Sequence, residues 1–313
     1  MLEHVDLNLS VPKEEYKERL DSLHERLYAL QGLAYNGRVP VAIVFEGWAA
    51  AGKGSCIGIL ATRLDPRGFR VVSVLPPRTS ELAYPWLWRF WQKIPAYGQI
   101  VVLDTSWYRR VLIERITGMV THRQWDDAYA DIRDFEGQLA ADGAVILKFW
   151  LQISKKEQKK RFKKVLADPL TAWQVSDEDQ AQHKAYKKYQ AAVEEMLVRT
   201  ETPHAPWTIV AATDRYYTRL KVMETIVQAL SFRLESQAAL HPPEGGEKPS
   251  ELVSPASIPV AAEAALPAEL AAPPPEKPEP PAKPKPAPAT GPVLPAKETK
   301  AAKAADEAED DHA

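Results

Sequence analysis

The chain has 313 residues, 45% of them hydrophobic, a formal net charge of −2 and a single cysteine, Cys56. One cysteine excludes an intramolecular disulfide and fits a reducing compartment, and no run approaches the 18 uninterrupted apolar residues of a membrane span. The opening MLEHVDLNLS has neither the basic start nor the apolar run of a signal peptide, so a soluble cytoplasmic protein without membrane partners is expected.

Helical spacing of Tyr16, Leu20, Leu23, Leu27 and Leu30 predicts a helix from Pro12 to Leu33. Residues 41–45 (VAIVF) read as a buried strand, followed by a glycine-rich turn and an apolar helix from about Gly54 to Leu64. Asp65-Pro66-Arg67-Gly68 ends that helix with turn chemistry. A second strand is predicted from Arg70 to Leu75, an aromatic helix from Trp86 to Trp91, and a third strand over 100–103 that ends at Asp104. Helical patterns run to about Asp142, then a strand from Val145 to Ile153, a basic helix from Ser154 to about Leu166 and a longer helix from Ser176 to about Thr200. A strand from Trp207 to Ala212 and a helix from Tyr216 to about Leu234 complete the pattern. Apolar strands alternating with helices predict an α/β fold, a parallel sheet covered by helices on both faces.

Composition then divides the chain. Seventeen of the 27 prolines lie in residues 241–313, which contain no Trp, Tyr, Phe or Arg. That stretch has 13 acidic residues against seven lysines, net −6, and leaves +4 on residues 1–240. Such a tail cannot bury enough apolar surface to offset the entropy of ordering it. Three segments are therefore expected: an N-terminal helical segment at 1–40, an α/β domain at 41–235, and a disordered Pro/Ala/Glu/Lys-rich tail at 236–313.

The motif that carries chemistry is Gly47-Trp48-Ala49-Ala50-Ala51-Gly52-Lys53-Gly54-Ser55, set between a strand and a helix. Gly47 and Gly52 permit a sharp turn and close backbone approach. Amides around Gly54 and Ser55, the helix N-terminus and Lys53 then supply donors and positive charge for a phosphate chain. The usual Ser or Thr directly after the lysine is replaced by Gly54, with Ser55 one residue late. Asp104, at the carboxyl end of the third strand, is the candidate ligand for a phosphate-bound Mg²⁺; a helix-capping role is the plainer alternative.

Ser154 and Glu157 form a predicted capping box at the head of the basic run 155–164. That run reads either as a solvated face or as part of a lid over phosphates. In the second case Arg161 is the catalytic candidate and Lys160 a phosphate contact. A nucleic-acid partner is the weaker reading, because the core charge is modest and no aromatic platform accompanies the lysines.

Several motifs together resemble the polyphosphate kinase type 2 family. They include Phe45-Glu46-Gly47-Trp48, Gly52-Lys53-Gly54, Leu64-Asp65-Pro66-Arg67-Gly68, Ser106-Trp107-Tyr108, Arg110-Val111-Leu112 with Glu114-Arg115, Lys148-Phe149-Trp150-Leu151, Asp168-Pro169 and Ala205-Pro206-Trp207. The resemblance covers roughly residues 10–235. It implies a P-loop kinase-like three-layer fold for 41–235 with a helical lid near 154–175, similar to thymidylate kinases. It also implies phosphoryl transfer between inorganic polyphosphate and a nucleoside mono- or diphosphate, Mg²⁺, and a homo-oligomer.

By the same resemblance Lys53 holds the transferring phosphates, Asp104 is the Walker B carboxylate, Arg110 and Arg115 support the site, and Arg161 belongs to the lid. Ala49 stands where the family has an aspartate, Thr105 where it has an arginine, and Gly58-Ile59 where it has a Lys-Arg pair. Arg109 stands where a small residue is usual. Two readings follow: an active phosphotransferase, or an impaired member that binds polyphosphate or a catalytic paralogue as a regulatory subunit.

Overall fold

Five runs rich in β-branched and aromatic side chains become strands because such residues fill a sheet buried on both faces. In the computed structural model, which describes residues 1–240 and side chains as far as residue 234, they are β1 (Val41–Gly47), β2 (Phe69–Ser73), β3 (Ile100–Asp104), β4 (Val145–Gln152) and β5 (Trp207–Ala211). All pair in parallel, in the order β2-β3-β1-β4-β5. β1 is buried at every residue, whereas β2, at the edge, is half open to solvent.

The helices are α1 (Lys13–Asn36), α2 (Lys53–Ala61), α3 (Trp88–Trp91), α4 (Ile113–Ile116), α5 (His122–Ala141), α6 (Lys155–Leu166), α7 (Asp177–Lys184), α8 (Tyr186–Arg199) and α9 (Arg215–Leu240). α2 and α9 pack on each other and on the sheet, with α1 laid along α9. α5 packs on β4 and on the 3-10 turn Trp107–Arg110. This is the three-layer α/β arrangement expected from the strand–helix alternation. α1 adds Leu27, Leu30 and Ala34 to the same hydrophobic core that Val44, Leu103 and Phe149 build from the sheet.

The helix predicted over 176–200 is two helices. The chain leaves helical geometry at Ala185 (φ −91°, ψ 22°). α8 sends Tyr186, Tyr189, Val193 and Met196 into the core, while α7 buries only Gln182. The bend lets the two segments face different neighbours. The expected disordered tail lies, beyond residue 240, outside the described residues.

Candidate active site

The order of the strands places a switch point beside β1, whose two neighbours are reached by connections running in opposite directions. Ligands in open parallel sheets bind outside the carboxyl ends of the strands at such points. Register fixes what meets there. Phe45 of β1 pairs with Asp104 of β3, and Gly47 pairs with Leu151 of β4.

The loop after β1 depends on that register. Gly47 has φ +152°, and a Cβ on it would lie 2.8 Å from the Leu151 carbonyl oxygen, so only glycine lets β1 and β4 approach this closely. Gly52 caps α2 at φ +108°. Between them Trp48 is fully buried and acts as the loop's anchor. Its ring stacks on Tyr186 at 4.0 Å, and its Nε1 donates to Gln152 Oε1 at 2.8 Å. Truncating a core indole costs about 3–5 kcal/mol, so the loop is held by its second residue.

Arg161 completes the scaffold. Its Nη1 donates to the carbonyls of Ala50 and Ala51 at 2.9 and 3.1 Å, its Nη2 to those of Ala212 and Thr213 at 2.8 and 2.9 Å, and its Nε to Glu157 at 2.9 Å. All five guanidinium donors are thereby taken by protein acceptors. Arg161 ties the loop to the end of β5. Glu157 is drawn to Arg161 and Lys160, so only one arm of the predicted capping box forms, Glu157 N–H to Ser154 Oγ.

A cleft of about 390 Å³ opens at this edge, a size suited to a small ligand. Glu46, Gly47, Ala49, Lys53, Asp104 and Thr105 form its floor. Lys53 begins α2, and its ammonium makes no hydrogen bond or ion pair with any described residue. The first-turn amides of α2 have no acceptors within the helix, and the positive end of its dipole is at Lys53. Lysine, helix terminus and glycine turn together offer the donors and positive charge that phosphate oxygens require.

Glu46 is buried, and its Oε1 accepts from Ser106 N–H and Ser106 Oγ–H, both at 2.8 Å. Burial pushes its carboxyl up to about 7. Ser106's hydrogen bonds and the Lys53 charge oppose the rise, and the Asp104 charge adds to it. Thr105 sits at φ +64°, a left-handed conformation that a β-branched residue rarely adopts. Strain of this kind collects at ligand sites.

Among the described residues no three His, Cys, Asp or Glu side chains group as metal ligands. Asp104 and Glu46 both line the cleft, and a cation held mainly by phosphate oxygens and water needs only one or two protein carboxylates. The donor set therefore fits a phosphate-bound divalent cation.

Other residues singled out by sequence stand apart from the cleft. Ser55 Oγ accepts from Arg219 Nε and Nη2 at 2.9 and 2.7 Å, facing α9. Arg115 pairs with Glu195 at 2.7 Å, donates to Tyr129 and lies 3.7 Å from the Trp125 ring centroid. Arg110 pairs with Glu114 at 3.2 Å beside the Trp86 ring. Lys160 is largely solvated, whereas Gly54, exposed in the first turn of α2, contributes one of that helix's unpaired amides.

Residues not assigned to the cleft from sequence reach it instead: Arg109 from the 3-10 turn, and Trp173, Glu178, Asp179 and Gln182 from the expected lid and the helix after it. Arg109's mismatch with the family pattern was the one signal that could have found it.

The chain is similar to known proteins over most of residues 1–240. A family model described as polyphosphate kinase 2 matches residues 10–238. A polyphosphate:AMP phosphotransferase of Pseudomonas syringae pv. tomato is 41% identical over 231 residues, 74% of this chain and 46% of that protein. The chain therefore spans about half the length of that relative. An ADP-polyphosphate phosphotransferase of Pseudomonas aeruginosa is 35% identical over 242 residues, covering 77% of this chain and 80% of its own. The crystal structure of polyphosphate kinase 2 from Arthrobacter aurescens TC1 superposes with a TM-score of 0.71 at 31% identity, over 74% of this chain and 85% of that one. The chain therefore belongs to the polyphosphate kinase 2 family.

Proposed function

We propose that this chain transfers a phosphoryl group between inorganic polyphosphate and a nucleoside mono- or diphosphate, with Mg²⁺. The observation that carries the reading is the convergence of the loop at 47–53, Lys53 and Asp104 on one cleft at the carboxyl edge of the sheet. Phosphoryl transfer requires little covalent chemistry from the protein; it requires reactants held in line and their negative charge neutralised.

Lys53 and the α2 amides would bind and orient the phosphate chain, while Trp48 and Arg161 keep the loop from relaxing. Asp104, with Glu46 beside it, would hold the divalent cation that family members generally need; when bound, that cation neutralises phosphate charge. Trp173 and Gln182 line the cleft, and closing them over bound phosphates would limit water. The relatives compared above are named as phosphotransferases, which favours the active reading over a purely regulatory one. Exposed Tyr28, Leu33 and Tyr35 on α1 support a homo-oligomer as part of the same proposal.

The test is product formation from polyphosphate and Mg²⁺ with each nucleoside mono- and diphosphate in turn. Chain-length-dependent appearance of the next higher phosphate is the expected result. Absence of product from every acceptor would contradict the proposal.

A further inference from the structure

As it stands the cleft is lined by more acidic than basic side chains. Its lining carries four carboxylates, Glu46, Asp104, Glu178 and Asp179, against two cations, Lys53 and Arg109. Arg109 is only 3% exposed at its side chain and already holds a bidentate pair with Glu178, Nη1–Oε2 at 3.0 Å and Nη2–Oε1 at 2.6 Å. Its Nε has no hydrogen-bond partner, and the nearest carboxylate oxygen, on Glu114, is 3.8 Å away.

The two partners of this pair differ in how firmly they are anchored. Arg109 belongs to a turn whose neighbours Trp107 and Tyr108 are buried and bonded to Glu136 at 2.9 and 2.7 Å. Glu178 is 39% exposed and belongs to α7, which places no apolar side chain in the core. Mainly polar contacts hold α7. Besides Glu178 these are Gln182 Oε1, which accepts from the Ala49 amide at 2.8 Å and from Gln158 Nε2 at 3.0 Å, and His183, whose Nδ1 donates to Gln158 Oε1 at 2.7 Å and whose ring meets Phe162 edge-on. Gln182 thus occupies a loop amide as Glu178 occupies the arginine.

We propose that Arg109 is a phosphate-recognising cation of this cleft, and that Glu178 on α7 is an internal competitor that the phosphate chain displaces. The inference rests on reading the cleft as a polyphosphate site. A phosphate oxygen pair matches the arginine fork as a carboxylate does. Outward movement of α7 removes two carboxylates at once, leaving Lys53 and Arg109 to face the ligand. Arg109 then supplies a cation on the same wall as Thr105, where the arginine-type cation is missing.

Calorimetric titration of the full chain with inorganic tripolyphosphate, at fixed ionic strength and without nucleotide, tests this. Glu178→Gln is expected to bind roughly tenfold tighter and Arg109→Gln at least tenfold weaker, and Glu178→Gln should add nothing in the Arg109→Gln background. Arg109→Lys, which keeps the charge but loses the fork, should fall between and covers the case in which Arg109→Gln does not fold. Amide hydrogen exchange over residues 177–184 should speed up when tripolyphosphate is added. An unchanged or weakened affinity in Glu178→Gln, wild-type affinity in Arg109→Gln, or slower exchange in α7 overturns the proposal. Phosphoryl transfer by the wild type with an unchanged Glu178→Gln affinity removes this inference alone. Tighter binding by Glu178→Gln without transfer supports it and removes the functional reading.

Discussion

Glu46 lies against the loop, and its carboxyl carries opposing demands. Ser106 donates two hydrogen bonds to it and Lys53 favours its charge, yet burial prevails and raises the carboxyl from an ordinary 4.5 to about 7. A carboxyl raised on folding contributes stability that is fully present below its unfolded value and is lost as pH climbs through the folded one. In protein stripped of divalent cations, Glu46→Gln keeps an acceptor for Ser106 and removes the buried charge. Its advantage over wild type should grow from near zero at pH 4.5 to roughly 1–3 kcal/mol at pH 8. Denaturant unfolding at the two pH values checks this; an equal difference at both contradicts it. Ala49 is the neighbouring case. It lines the cleft beside Lys53 and Asp104 without a carboxylate. Ala49→Asp should raise Mg²⁺-dependent turnover at least tenfold by adding a cation ligand, while weakening metal-free tripolyphosphate binding through repulsion. Steady-state kinetics and calorimetry read the two effects separately.

The turn that carries Arg109 owes its position to a buried network on β4 and α5. Lys148 Nζ donates to Tyr108 Oη at 2.9 Å, Glu136 Oε2 at 2.9 Å and the Thr200 carbonyl at 2.8 Å, which satisfies all three of its protons. Lys148 and Glu136 are both fully buried. Removing one partner of such a pair strands the other's charge. Lys148→Met should cost about 3–5 kcal/mol, and Lys148→Met with Glu136→Leu should recover much of that loss. Thermal or denaturant unfolding measures both, and a double variant as unstable as the single one would contradict the pairing.

The same elements show what sequence reading could reach. The five strands and the phosphate loop were legible because a buried strand needs a continuous apolar run and a glycine turn has few substitutes. The break at Ala185 was not legible: both flanks are good helix formers, and only their different neighbours separate them. The destinations of Arg110, Arg115 and Arg161 were also hidden, since a sequence shows that a cation exists but not which carbonyl or carboxylate claims it. Arg161 has the charge and position expected of a lid arginine, yet it binds four main-chain carbonyls.

Across the described residues, one parallel sheet gathers loop, lysine and aspartate at one edge, and Trp173, Glu178 and Gln182 line the same cleft. No helix among the described residues is long and apolar enough to cross a membrane. The site is assembled from segments as distant as residues 46 and 182, so its integrity tests the fold and the chemistry together. The most direct measurement is single-turnover transfer from polyphosphate to a nucleoside mono- or diphosphate, comparing wild type with Lys53→Met. The wild type should form the next higher nucleotide, and the variant should do so at least ~10²-fold more slowly while keeping its unfolding midpoint. Equal rates in the two proteins, or no product from the wild type while polyphosphate still binds, would contradict the account.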